Sequence, residues 1–422
     1  MTSPGLNVTL LETHAVRPSA WRICSRQIDE IRSDPALRFY GVALAAAHLL
    51  TSIQWQFRSG VSLMIGGDAA RLCWPFFEGC NAVRVSVWTV HYTLWGFFLL
   101  SALAGVCFAL RRIPAGYWLL VLVTAIRLLI MVQDYRLRAN QHYMLNWLVL
   151  GFLFLPGKRL ILHHLLVALY FWAGILKLDR EWLSGVALYN QDRLWLPASL
   201  VAASCVYVVF LETTMIFGLY SRRNLVFYGT LAQLIVFHIF SWPIVGFWYP
   251  TLMFCLLSIL PLTRLLHPPE DWVSFSSLRV LRRQPLNAAV LAVFALLQMV
   301  PHAFPGDSAL TGEGRVFALH MFDALVVCEA KLTYHLADGS TRENLLPETE
   351  RLPHRSRCDP VIFFDLAKNN CRQRPPGVID LDLSLKSRHS AEPQDHQTID
   401  IKGFCAADPA YDMWRHNAWI HP

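Results

Sequence analysis

The chain has 422 residues, of which 55% are hydrophobic and only 16% charged, and its mean hydropathy is +0.37. That balance excludes a string of ordinary soluble domains and puts most of the chain in lipid. The net charge of +7 does not mark a nucleic-acid partner, because the basic residues sit in short clusters beside apolar runs, where they set membrane orientation.

Residues 1–36 carry Arg17, Arg22, Arg26 and Arg32 without an apolar run. They read as a cytoplasmic N-terminal segment and not as a cleavable signal peptide. Residues 37–303 read as a transmembrane helical domain. Stretches near the ~20 apolar residues that cross a bilayer fall at Phe39–Ile53, Val85–Leu110, Tyr117–Val132, Met144–Leu155, Leu160–Leu176, Leu196–Leu219, Leu225–Phe240, Phe247–Leu262 and Ala288–Val300. The expected fold is therefore an α-helical polytopic membrane protein of about nine transmembrane helices.

Basic clusters should alternate between loops if they mark the cytoplasmic side. The N-terminal arginines, Arg111 with Arg112, Lys158 with Arg159, Arg222 with Arg223, and the set Arg264, Arg279, Arg282 and Arg283 do so. This predicts a cytoplasmic N-terminus and an extracytoplasmic C-terminus. Cysteines sort the same way: Cys73, Cys80, Cys328, Cys358, Cys371 and Cys405 fall on the non-cytoplasmic side, where disulfides persist. Cys24, Cys107, Cys205 and Cys255 are cytoplasmic or within spans. Proximity in the chain predicts a Cys73–Cys80 disulfide; the connectivity of the other four is left open.

Beyond Pro301 the composition turns polar. Residues 304–422 read as a small, β-rich, disulfide-bearing extracytoplasmic domain. Val326–His335 and Arg342–Leu346 flank a hairpin turn at Ala337 to Gly339, and Val378–Leu385 and Thr398–Gly403 read as further strands.

Ionisable groups inside spans are costly and face the protein interior. His142 opens the fourth span, Lys177 closes the fifth and His238 closes the seventh, with Asp134, Arg136, Arg138, Asp179, Arg180 and Glu181 nearby. Together they predict one polar pocket near the non-cytoplasmic boundary. Blander readings exist for each: a lysine at a helix end snorkels, an interfacial histidine suits its depth, and Arg127 and Glu212, deeper in their spans, could be structural anchors. His48, His91, His163 and His164 also lie in or near spans, but no Cys-x-x-Cys-His or His-Glu-x-x-His pattern points to haem or a hydrolytic metal. No metal is expected.

One stretch is more specific. Ala173, Gly174, Lys177, Leu178, Asp179, Trp182 and Gly185 form Ala-Gly-x-x-Lys-Leu-Asp-x-x-Trp-x-x-Gly. This resembles the most distinctive motif of the vitamin K-dependent gamma-glutamyl carboxylases and the related bacterial HTTM-domain proteins. Asn140, Gln141, His142 and Tyr143 resemble the family's Asn-His-x-Tyr segment, with Gln141 where Asn is usual. Phe237 and His238 resemble a Phe-His pair, and Glu212 falls where an acidic residue occurs. The resemblance covers roughly residues 35–265. It implies a bacterial inner-membrane protein, or an equivalent, with catalytic Lys177, His142 and His238 supported by Asp179, Trp182 and Glu212.

The implied reaction couples oxidation of a reduced quinone (vitamin K hydroquinone or menaquinol) by oxygen to carboxylation of a glutamyl or other acceptor by carbon dioxide. Its partners are membrane lipid, quinone and a peptide or protein substrate. A lysine serves as base only when neutral, and apolar neighbours such as Phe171, Trp172, Leu176, Leu178 and Trp182 disfavour an ammonium. His142 and His238 would hydrogen-bond quinone oxygens. Arg138 and Arg127 would offer charge to bicarbonate-derived or carboxylate groups. Competing classes are a quinone- or lipid-handling oxidoreductase of the same fold that does not carboxylate, and a transporter lined by Arg127, Glu212 and Lys177.

Overall fold

The computed structural model describes residues 20–67, 71–82, 84–189, 195–319, 326–346 and 358–421; Arg17 lies outside the described residues. The described residues begin with an amphipathic helix, α1 (Ala20–Ser33), which buries Ile28 and Ile31 against the bundle. Asp34 then starts α2 (Pro35–Phe57), its carboxylate accepting from the amides of Ala36 at 2.8 Å and Leu37 at 3.2 Å, as an N-cap should.

The bundle continues with α3 (Val87–Ala109), α4 (Ile113–Met131), α5 (Asn140–Phe154), α6 (Lys158–Ile175), α7 (Ala198–Thr213), α8 (Asn224–Val245), α9 (Trp248–Leu257), α10 (Ile259–Leu266) and α11 (Pro285–Met299). Each of the nine apolar stretches is helical. Among the described residues, however, seven helical segments are long and apolar enough to cross a membrane, not nine. The two that fall short are α5, with 15 residues, and α6. Asn140, Gln141 and His142 open α5, while Lys158, Arg159, His163 and His164 dilute α6. Both are the inner helices of the bundle: Leu145, Leu148, Val149 and Phe152 of α5 and Ile161, Leu162, Leu165, Leu166 and Leu169 of α6 are fully buried. A helix with most of its surface against protein needs less lipid-compatible surface and less than full bilayer length, which is why polar residues are tolerated there.

The two ends of the bundle are held differently. At one end the α5–α6 turn meets the α1–α2 junction: Lys158 Nζ donates to Gln27 Oε1 at 2.5 Å, and Arg159 and His267 pair with Asp34 at 2.8 and 3.0 Å. Asn287 closes the same end on the carbonyl of Pro156 at 2.8 Å. The opposite end carries the Cys73–Cys80 disulfide, as expected, and the C-terminal domain.

That domain is a four-stranded antiparallel sheet in the order β2-β1-β3-β4, from β1 (Val326–Leu336), β2 (Thr341–Leu345), β3 (Val378–His389) and β4 (His396–Ile401). Alternation along β3 turns Leu381, Leu383 and Leu385 inward. They are covered by a helix the strand pattern does not reveal, α12 (Pro360–Gln373), through Phe363, Phe364 and Ala367. "β-rich" therefore becomes a sheet with a packed helix. The open cysteine pairing resolves as Cys328–Cys358 and Cys371–Cys405, which tie the start of β1 and the end of α12 into this core.

The domain docks onto the bundle by apolar and polar contacts. Leu72, Trp74 and Tyr135 pack against Val361 and Ile362. Asp365 accepts from the Cys73 amide at 2.9 Å, and Asp359 accepts from Tyr135 at 3.0 Å.

Candidate functional site

Lys177 lies just past the end of α6, where its amide bonds the carbonyl of Gly174 at 3.1 Å. Its side chain is 1% exposed and forms an ion pair with Glu212, itself 2% exposed. The ammonium nitrogen also faces the rings of Trp182 and Phe237, each at 5.7 Å. Glu212 is the fifteenth of the 16 residues of α7, one residue from its C-terminal end. A snorkelling lysine would reach water; this one reaches a carboxylate inside the bundle.

Four other motif residues build the frame, whereas Leu178, expected beside the lysine, is 55% exposed. Gly174 lets α6 and α7 touch, since a Cβ there would fall 2.8 Å from Glu212 Cβ and 2.8 Å from Thr213 Cγ2. Asp179 caps the next short helix, accepting from the Trp182 amide at 2.6 Å. Trp182 is buried and donates from Nε1 to the Cys205 carbonyl at 3.0 Å. Gly185 ends that helix at φ +76°, with the backbone of Ala202 only 2.9 Å from where a Cβ would stand. Four fixed residues thus have packing duties that place the fifth.

His238 of α8 joins this group. Its Nε2 lies 2.6 Å from the Tyr170 hydroxyl, and its Nδ1 has no partner among the described residues. Tyr170 lies on α6, three residues before the motif begins at Ala173, and no sequence pattern singles it out.

His142 belongs elsewhere. Its ring packs edge-on against Trp55 at 5.2 Å, and its charged neighbour is Arg127, not Lys177. Arg127 is fully buried, donates to Asn146 and has no described carboxylate partner. His48 completes this second group, with Nε2 3.3 Å from Thr124 Oγ1. The expected single pocket is thus two polar clusters, one around Lys177, Glu212, His238 and Tyr170 and one around Arg127, His142, His48 and Asn146. Arg138 is in neither: it pairs with Asp359 at 3.4 Å and donates to the Tyr135 hydroxyl at 2.7 Å, tying the C-terminal domain to the bundle.

Two cavities flank the lysine segment. An apolar crevice of about 220 Å³ runs between α7 and α8 and is lined by Trp182, Cys205, Val208, Val236, Phe237 and Phe240. Half-exposed Tyr207, Val236 and Phe240 line its mouth at the surface of the bundle. Trp182 and Phe237, which back this crevice, are the rings against Lys177. The other cavity, about 310 Å³, lies under the C-terminal domain and is lined by Asp179, Glu181, His302, Asp307, Arg315 and His389 among others.

His389, at the end of β3, clamps this polar cavity. It contacts Asp307 at 2.6 Å and Glu181, four residues beyond Lys177, at 3.3 Å. The hydrogen bond to Asp307, with further help from Glu181 and Glu392, pushes its pKa up to about 9 against the cost of burial. A histidine pKa raised on folding stabilises the fold fully below the unfolded value of ~6.5, and that contribution fades as pH climbs through the folded value. Thermal melts between about pH 6 and about pH 10 should therefore show stability falling from about pH 6.5 and levelling off above about pH 9, a loss absent in His389→Gln. An identical profile in the variant would contradict the clamp.

Compared with family models, with curated proteins and with solved structures, the chain matches none.

Proposed function

We propose that the chain is a membrane-embedded, quinol-dependent enzyme of the gamma-glutamyl carboxylase type, with Lys177 as its base. The observation that carries this reading is the Lys177–Glu212 pair, held inside the bundle by residues whose packing roles are otherwise complete. A lone structural lysine would not need such a frame, since burying an ion pair is seldom a gain in stability over apolar packing.

The residues suit the chemistry. Moving one proton from ammonium to carboxylate turns the pair into amine and acid without changing its net charge. The amine is then free to take a hydroxyl proton from a bound quinol. His238, fixed by Tyr170, has Nδ1 available for a quinone oxygen. The crevice between α7 and α8 offers a lipid-soluble ring an apolar route ending at Trp182 and Phe237. Quinol and oxygen would yield epoxide and water, while acceptor C–H and carbon dioxide would yield a new carboxyl group. His142 stands with Arg127 rather than with the lysine, so it has no step in this chemistry.

The test is direct. Protein purified in detergent and given reduced menaquinone or vitamin K with oxygen should form the quinone epoxide, read by mass spectrometry. Folded protein that forms none refutes the proposal. Epoxide without incorporation of labelled carbon dioxide into any supplied peptide favours the runner-up, an oxidoreductase of this fold that does not carboxylate.

We also assign the lysine-bearing end of the bundle, with its disulfides, to the extracytoplasmic side. The basic loops gather at the other end, and α5 and α6 come as an adjacent pair, so counting them as crossing or not leaves the C-terminus opposite the N-terminus. Alkaline phosphatase fused after His421 should be active and a fluorescent cytoplasmic reporter at that site dark; the reverse would overturn the orientation.

A further inference from the structure

The connection from α2 to α3 exposes apolar side chains that a water-facing loop would hide. Phe57, which ends α2, is 62% exposed, Leu63 66%, Phe76 55% and Phe77 40%. These residues are firmly mounted. A six-residue helix (Val61–Gly66) buries Val61 and Ile65 and leaves Leu63 uncovered. Phe76 and Phe77 stand in the loop closed by the Cys73–Cys80 disulfide, with Phe76 against the ring of Trp74 at 5.4 Å.

Their depth follows from what holds them. Trp74 Nε1 donates to the carbonyl of Met131 at 2.8 Å, and the Tyr135 amide donates to the carbonyl of Leu72 at 2.8 Å. Met131 is the last residue of α4, a helix of membrane length, so the disulfide loop is stitched to the point at which α4 leaves the bilayer. Gly66 fixes the short helix at the same boundary: a Cβ there would fall 2.5 Å from the amide nitrogen of Val87, the first residue of α3. A short turn joins α3 and α4 at their other ends, which puts Val87 and Met131 on one side of the membrane.

The apolar strip continues onto α3. Phe57 meets Trp95 edge-on at 6.0 Å, Trp88 stacks on Tyr92 at 6.3 Å, and all three α3 rings are exposed. At i, i+4 and i+7 they share one helix face, and Trp and Tyr are the residues that favour the boundary between lipid and water. A soluble partner would have to displace lipid from the α3 side of this surface. Arg58, beside Phe57, and Arg84, just ahead of α3, are exposed as well and bring guanidinium groups suited to lipid phosphates.

We propose that the connection is a membrane-seated collar whose Leu63, Phe76 and Phe77 dip into the leaflet at the lysine-bearing end of the bundle, its partner being the phospholipid of that leaflet. The other face of the same loop carries the C-terminal domain, through the Cys73 amide to Asp365 and through Leu72 and Trp74 to Val361 and Ile362. The disulfide therefore braces one loop between lipid and domain. The inference does not rest on the quinol reading, since seating in lipid needs no turnover.

The experiment places the full chain in phospholipid nanodiscs with Phe77 replaced by trifluoromethylphenylalanine. Fluorine relaxation is read with dissolved oxygen, which gathers in hydrocarbon, and with a water-soluble gadolinium chelate. Oxygen should dominate, and the ratio of the two effects should come within about twofold of that read from the same probe at Trp88, because both rings sit at one depth. Should the first variant fail to fold, the probe at Leu63 gives the same reading. Relaxation dominated by gadolinium would put the ring in water, and a weak response to both agents would put it under protein; either result overturns the proposal.

Discussion

Lys177→Arg should be folded and inactive. Arginine keeps a cation opposite Glu212, so the cost of leaving a carboxylate buried without a partner does not arise, but a guanidinium stays protonated and cannot act as base. Lys177→Ala is the less informative variant, because it strands Glu212 and should lower stability by about 3–5 kcal/mol. The pair Lys177→Met with Glu212→Gln removes both charges and should recover most of that loss. All three should form epoxide at background rate, a fall of at least about 10²-fold, as expected for loss of a general base. A merely structural lysine makes the opposite forecast for arginine, with stability and activity retained together. Epoxide formation by Lys177→Arg at the wild-type rate, measured beside melting curves, would end the catalytic assignment.

Why some of this was legible in the sequence, and some not, follows from the range of each interaction. Span positions depend on local hydropathy, so every expected apolar stretch became a helix, and the strands of the C-terminal sheet declared themselves by alternation. Burial depends on the whole bundle. Nothing local in α5 or α6 says that they are inner helices, so their polar openings read as marks of a membrane boundary and the count of full-length spans came out too high. The segment Pro360–Gln373 was missed because its apolar residues lie next to polar sequence that resembles a loop. Disulfide connectivity beyond Cys73–Cys80 required the sheet to exist first. At the site, Lys177 and its frame were readable because one short motif contains them. The partition of His142 from Lys177 was not, since contacts such as His142 to Trp55 link residues far apart in the chain.

Gly174→Ala should do damage out of proportion to one methyl group. The added Cβ would stand 2.8 Å from Glu212 Cβ and from Thr213 Cγ2, and 3.2 Å from the Glu212 backbone carbon. Neither Cβ nor backbone can swing away as a flexible chain end would, so α6 and α7 must part. Overpacking of this kind costs about 1–3 kcal/mol. The displacement also moves Glu212 relative to Lys177, and a shift near 1 Å at reacting groups costs about 10²-fold in rate. Two companions separate packing from position. Gly229→Ala places its methyl on α8 where nothing lies within 4 Å, and it should be neutral or slightly stabilising through helix propensity. Gly174→Ala with Thr213→Ala removes the Cγ2 clash but not the Glu212 one, so it should recover part of the stability and little of the turnover. Full recovery of epoxide formation in that double variant would mean that the close approach of α6 to α7 serves packing alone, and that the Lys177–Glu212 geometry is not what the glycine protects.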